Sequence, residues 1–221
     1  SVPVTVLPPE EVSVNVDLPD YGSQKVFKLI SFPVDVYTFG ELRQLLEAQL
    51  GTMEPSNWLI FSYNGSNSGS YEVPSDNHPI DPTCSYWMAS VGARNLNLEG
   101  FGPPDGATVV RTLQPGWNLA GNPYGKSTDL DHFFVIEDDE FISMTSSNQS
   151  SMAPVAWKLN STYDGYNQVT SLDAGEGAWV FNDRDEAITL YIDPTSPLSK
   201  TSRSKSQLAD LQPPSPPKEK T

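Results

Sequence analysis

Trp117-Asn118-Leu119-Ala120-Gly121-Asn122-Pro123 has a counterpart ninety positions earlier, in Phe27-Lys28-Leu29-Ile30-Ser31-Phe32-Pro33. In each, an aromatic stands two places before a leucine and a proline four places after it. This self-similarity decides the reading of the chain, because internal repetition is the signature of a duplicated structural unit. Working outward, a tryptophan next opens an aromatic run in both halves. The first run is Trp58-Leu59-Ile60-Phe61-Ser62-Tyr63 and the second is Trp157-Lys158-Leu159-Asn160-Ser161-Thr162-Tyr163. A further tyrosine follows each, Tyr71 and Tyr166. A second tryptophan comes after a turn, in Cys84-Ser85-Tyr86-Trp87-Met88 and in Glu176-Gly177-Ala178-Trp179-Val180. Leu96 and Leu98 fall nine and eleven places after Trp87, and Ile188 and Leu190 stand at the same distances from Trp179. From first to last leucine the copies span 69 and 71 residues. The interval from first leucine to first tryptophan differs, 29 residues against 38. Fixed anchors with variable gaps indicate a common fold carrying loop insertions.

The anchors read as strands. Alternation at Leu96/Leu98 and Ile188/Leu190 has a period of two, and Trp and Tyr among aromatic and β-branched neighbours suit a pleated surface. Asp173-Ala174-Gly175-Glu176-Gly177 is a turn signal, and the proline after each opening strand ends pairing. One segment departs. Phe39, Leu42, Leu45, Leu46 and Leu50 follow helical spacing, with Gly51 as a stop. Its counterpart, residues 127–135, predicts at most a short helix starting near Thr128 or Asp129. The fold class expected is mainly β: two similar antiparallel units in tandem, sandwich- or barrel-like, with a short helix in the first. The boundaries follow as 1–22 for an N-terminal connector or strand, 23–101 for the first copy and 102–197 for the second. Residues 198–221 make a basic Ser/Pro-rich linker or tail, expected to be mobile on its own. At 221 residues the chain is long enough for one large β domain or two small ones.

Paired Trp58/Trp157 and Trp87/Trp179 are expected to be core anchors. Gly116-Trp117-Asn118-Leu119 with Pro123, and Gly177-Ala178-Trp179-Val180, resemble a recurrent β-repeat module of large secreted bacterial multidomain surface proteins. The first copy departs from that pattern at Phe27-Lys28-Leu29 and Ser85-Tyr86-Trp87-Met88. The resemblance covers about residues 26–192 and implies an extracellular or cell-surface setting. Neighbouring domains or subunits of a surface assembly would be its partners. It carries no catalytic residues to transfer.

Charge narrows the partners. The net charge is −15 and charged residues make up 19% of the chain. From Leu198 onward five Lys/Arg stand against Asp210 and Glu219, which makes the tail +3 and leaves −18 for residues 1–197. A body this acidic repels nucleic acid. No stretch approaches the roughly 18 apolar residues of a membrane span, so no membrane insertion is expected in this segment. The start at Ser1-Val2-Pro3 carries no leader pattern, which places any signal peptide outside this segment. The single cysteine, Cys84, allows no intrachain disulfide and reads as a small buried or half-buried residue.

Chemistry-bearing patterns are sparse. The two histidines, His78 and His132, lack partners at ligand spacing. There is no nucleophile elbow and no phosphate-cradling glycine loop. No catalytic residue and no cofactor is expected. Two acidic runs stand out, Glu137-Asp138-Asp139-Glu140 and Asp183-Arg184-Asp185-Glu186. Neither has EF-hand spacing, but Glu137, Asp138, Asp139 and Glu140 form the candidate calcium site, since hard cations favour clustered carboxylates. Tyr124, Tyr163 and Tyr166 are the candidate glycan contacts, as loop aromatics able to stack on a sugar ring. The functional expectation is a non-catalytic structural or adhesive module of an extracellular multidomain protein. The alternative is a carbohydrate-binding module appended to a secreted enzyme.

Overall fold

The computed structural model describes residues 8–24, 26–65, 69–146, 150–160, 162, 165–195 and 211–217. The first unit runs β1 (Glu10–Leu18), the single turn α1 (Tyr21–Gln24), β2 (Lys28–Ser31), α2 (Phe39–Leu50), β3 (Trp58–Asn64), β4 (Ser70–Glu72), β5 (Ser85–Ser90) and β6 (Arg94–Gly102). The second runs β7 (Val109–Leu113), β8 (Gly116–Gly121), β9 (Thr128–Asp129), a 3-10 turn (Leu130–His132), β10 (Phe133–Glu137) and β11 (Glu140–Ser143). It ends with β12 (Ala156–Leu159), β13 (Tyr166–Val169), β14 (Ser171–Leu172), β15 (Gly177–Asn182) and β16 (Ile188–Ile192).

The protein is mainly β, and its two units share one strand order. The first has the sheet β2-β5-β3-β4 and the second β8-β15-β12-β13. Pairing fixes the correspondence. Leu29 lies opposite Trp87, and Leu119 opposite Trp179. Trp87 and Trp179 are therefore equivalent, as their spacing indicated, and both are fully buried. The other tryptophan pairing needs correction. Across the next strand, Phe61 faces Trp87, whereas Trp157 faces Trp179. The counterpart of Trp157 is Phe61, and Trp58 stands three residues earlier. An odd displacement along a strand reverses the face. Trp58 therefore packs with Ile60 in the first unit's own core, while Trp157 packs with Trp179 between the units. Both are buried, but against different neighbours.

Each sheet has a second layer behind it. β1 alternates buried Val12, Val14, Val16 and Leu18 with exposed polar residues, and pairs over its whole length with β6. The N-terminal segment is thus a strand of the first unit rather than a connector. Residues 1–7 lie outside the described residues. The equivalent pair in the second unit is β7 with β16. Helix α2 completes the first unit's outer layer. Thr38 caps it, with its hydroxyl accepting from the Glu41 amide while the Glu41 carboxylate accepts from the Thr38 amide. Phe39, Leu42, Leu46 and Leu50 point inward, and Leu45 is exposed. In place of a helix the second unit has the 3-10 turn and the hairpin β10–β11. The short helix expected near Thr128 or Asp129 is the single 3-10 turn Leu130–His132 with Asp129 at its N-cap, and it ends there because Phe133-Phe134-Val135 extends and pairs with β16 and β11. This hairpin occupies much of the longer spacer.

The two sheets meet over a shared core of Phe27, Leu29 and Trp87 from one unit and Leu119, Trp157 and Trp179 from the other. Backbone bonds also cross. The Ser31 amide donates to the Gly175 carbonyl at 3.0 Å, and the Gly121 amide to the Thr83 carbonyl at 2.7 Å. Ser31 corresponds to Gly121, and Thr83 to Gly175, so the crossings are related by a pseudo-two-fold axis. At that axis equivalent positions meet. A Cβ on Gly177 would lie 2.1 Å from the Ser85 Cβ, and one on Gly121 2.5 Å from the Ser31 Cβ. Only one side chain of each pair fits, and the sequence supplies serine in one unit and glycine in the other.

Candidate functional site

The motif residues that invite a functional reading prove to be braces. Asn118 accepts from the Gln114 amide and donates to the Gln114 and Gly116 carbonyls. Asn122 is fully buried. Its amide donates to the carbonyls of Lys126 (2.6 Å) and Leu172 (2.9 Å), and its oxygen accepts from the Tyr124 amide and the Thr128 hydroxyl. Arg111 reaches the carbonyls of Thr83 and Leu119, which binds the units together from one flank.

Of the glycan candidates, Tyr124 and Tyr166 belong to different clusters. Tyr124 has 0% exposure, and its hydroxyl lies 2.6 and 2.8 Å from the carbonyl oxygens of Ala107 and Ile192, which share its one hydrogen. Its ring is closed to a sugar, because the core of the second unit, with Leu130 and Ile192, surrounds it. Tyr163 lies outside the described residues. Tyr166 belongs to a different assembly, described below.

The calcium candidate is a hairpin tip. Asp138 and Asp139 are the two-residue loop between paired Glu137 and Glu140, both with positive φ (53° and 64°) as a type I′ turn requires. Glu137 is already committed: it accepts from the Ser150 amide at 3.0 Å, from the Ser151 hydroxyl, and from Arg184 at 3.4 Å. Burial alone would raise its pKa, but these donors outweigh it and hold the carboxyl below its ordinary value. No three His, Cys, Asp or Glu side chains among the described residues are placed to share a metal ion. Asp and Asn suit positive φ, so turn chemistry accounts for the acidic tip without a cation. Millimolar calcium is accordingly expected to move the melting temperature no more than sodium at equal ionic strength. A calcium-specific rise, followed by differential scanning fluorimetry, would restore the metal reading.

The single cysteine is half-buried beside Arg111, and burial raises its thiol pKa, so it is not poised as a nucleophile. It lines a cleft of about 670 Å³ with His78, Glu72 and Arg111. The pseudo-symmetric cleft, about 390 Å³, holds Lys28, Lys158 and Glu176, the last two in an ion pair of 2.5 Å.

The distinctive surface is aromatic and lies where the two units meet. Tyr63 stands edge-on to Trp179 with ring centroids 4.7 Å apart, and Trp117 packs edge-on against Trp157 and Phe181 at 5.0 and 4.9 Å. Tyr71 lies across the ladder from Tyr63, and Tyr166 across from Leu159, so these two tyrosines are equivalent. On this surface rests the segment Leu211-Gln212-Pro213-Pro214-Ser215-Pro216-Pro217. Leu211 packs on the aromatic core, and Pro213 and Pro217 are buried. The Tyr71 hydroxyl donates to the Ser215 carbonyl at 2.5 Å, and the Tyr166 hydroxyl to the Pro214 carbonyl at 2.6 Å. Burial pushes the Tyr166 phenol up to about 12 and moves that of Tyr71 upward as well, so both remain protonated donors near neutral pH. Trp87 and Trp179 lie beside the Tyr71 and Tyr166 hydroxyls respectively, and their indole N–H groups fall short of hydrogen-bond geometry.

This corrects the expectation of a mobile tail for residues 211–217. Residues 196–210 and 218–221 lie outside the described residues. Composition judged the tail alone, whereas the body supplies the buried surface. Proline also lowers the ordering cost, because its φ is fixed beforehand. The signal available in the sequence was the coincidence of a Pro-Pro-x-Pro-Pro run with an excess of paired aromatics. The chain matches no known protein family, no curated protein and no solved structure.

Proposed function

We propose that this chain is a non-catalytic structural or adhesive module of an extracellular multidomain protein. The observation that carries the reading is the use of its polar motif residues and of Arg111. Asn118, Asn122, Arg111, Glu137 and Tyr124 are all engaged in bracing loops or joining the two units. Among the described residues they leave a composite groove that holds an extended chain, which suits contact with polypeptide. The resemblance of Gly116-Trp117-Asn118-Leu119 and Gly177-Ala178-Trp179-Val180 to bacterial surface repeats points the same way. So does the acidic body, since uniform negative charge favours solubility.

Antibody labelling of intact cells of the source organism tests the placement. Signal on unpermeabilised cells that is lost after external protease treatment is expected. Confinement to the cytosolic fraction would overturn it. A glycan array separates adhesion to polypeptide from the carbohydrate-binding alternative, for which saturable binding to a defined sugar is the required result.

A further inference from the structure

We propose that the groove between the two units is a binding site for proline-rich polypeptide of the pattern Leu-x-Pro-Pro-x-Pro-Pro. Residues 211–217 are its resident occupant, and a like segment presented by another molecule competes with them. The groove would act in this way wherever the chain resides.

The occupant's pattern of exposure carries the argument. Gln212 and Ser215 are exposed, while the prolines on either side are buried or half-buried. A period of three is that of the polyproline II helix, which has three residues per turn. Four of the seven residues are proline, and a residue preceding proline is driven to extended backbone. One ridge of such a helix faces water and two ridges face the protein.

The groove is chemically matched to this ligand. A proline run has no amide hydrogen to donate, so it offers only carbonyl oxygens and ring faces. The groove supplies donors and aromatic surface: the hydroxyls of Tyr71 and Tyr166, with Trp117 and Tyr63 nearby. The two hydroxyls take successive carbonyls, Ser215 and Pro214, one from each unit. Successive carbonyls of a three-fold helix point in different directions, so donors on opposite walls are what such a chain requires. Duplication of the unit supplies that pair, since Tyr71 and Tyr166 are equivalent positions.

The test uses a fluorescein-labelled peptide of residues 209–217 and fluorescence anisotropy. Full-length chain carrying Pro213→Asp and Pro217→Asp releases its own tail and is expected to bind the peptide saturably. The unmodified chain should bind at least tenfold more weakly, since a tethered segment acts at an effective concentration of order millimolar. Adding Tyr71→Phe and Tyr166→Phe to the released chain should weaken binding by about tenfold or more, through loss of two hydrogen bonds. A peptide with all four prolines changed to alanine should not bind. Equal binding of both peptides, no binding at millimolar peptide, or no effect of the tyrosine changes would overturn the proposal. A second measurement avoids the tail substitutions. Unlabelled peptide in excess should shift the Ser215 resonance of the unmodified chain to its free position, and failure to do so at millimolar peptide would also count against the site.

Discussion

Replacement of Gly177 by alanine is expected to destabilise the whole chain by about 3 kcal/mol, the upper part of the usual range for overpacking. In a protein of this size that lowers the melting temperature by roughly 6–12 °C. The added Cβ would fall 2.1 Å from the Cβ of Ser85, a contact no rotamer change can relieve. One backbone must move, and the two backbones there are joined by the crossing bonds from Ser31 and Gly121. The check is a double-mutant cycle. Ser85→Gly alone should cost about 1 kcal/mol, as a glycine in a strand does. It removes a buried hydroxyl with no hydrogen-bond partner, which limits the loss. In the Ser85→Gly background, Gly177→Ala should be nearly neutral, giving a coupling of about 2–3 kcal/mol. Equal losses in both backgrounds would mean that the two units do not meet at this pair.

Asn122→Ala should lower stability by about 4 kcal/mol, measured by urea denaturation. The estimate follows from the groups left behind. The Leu172 carbonyl, the Tyr124 amide and the Thr128 hydroxyl lose a buried partner, and the Lys126 carbonyl loses a part-buried one. An orphaned buried polar group costs about 1–3 kcal/mol, and partial relaxation keeps the sum near the lower end. Asn122→Asp should be as harmful, because it removes both donated hydrogens and buries a charge. Asn118→Ala provides the contrast. Its bonds reach only to Gln114 and Gly116, so a loss of about 1–2 kcal/mol is expected. Similar values for the two asparagines would refute the bracing role of Asn122. The comparison also explains why the first copy lacks the motif. Phe32 holds the place of Asn122 there and is fully buried in an apolar core.

The sequence by itself determined the β character, the duplication, and the elements with strong periodicity. β6 was readable because Leu96 and Leu98 alternate with polar residues, whereas residues 1–22 left connector and strand both open and only the pairing of β1 with β6 decides between them. Helix α2 was readable because Phe39, Leu42, Leu46 and Leu50 recur at helical spacing. The equivalence of Trp87 with Trp179 was readable because the apolar pair that follows each stands nine and eleven places on. In each case a local pattern records which side of an element is apolar, and burial acts on that side.

Tertiary structure alone decided the rest. Matching Trp58 to Trp157 by identity hid a three-residue offset, and only the ladder opposite Trp87 and Trp179 reveals that they face different cores. Tyr124 read as a loop aromatic until the carbonyls of Ala107 and Ile192 closed over its hydroxyl. Glu137 read as one of four free carboxylates until Arg184, 47 positions away, was found to claim it. The Pro-rich tail read as mobile until Tyr71, 144 positions from Ser215, was seen to hold it. These partners are distant in the chain, so no periodicity encodes them. They are selected by which surfaces the packed sheets bring within hydrogen-bond reach, and that depends on the register and the pseudo-two-fold contact of the two units together.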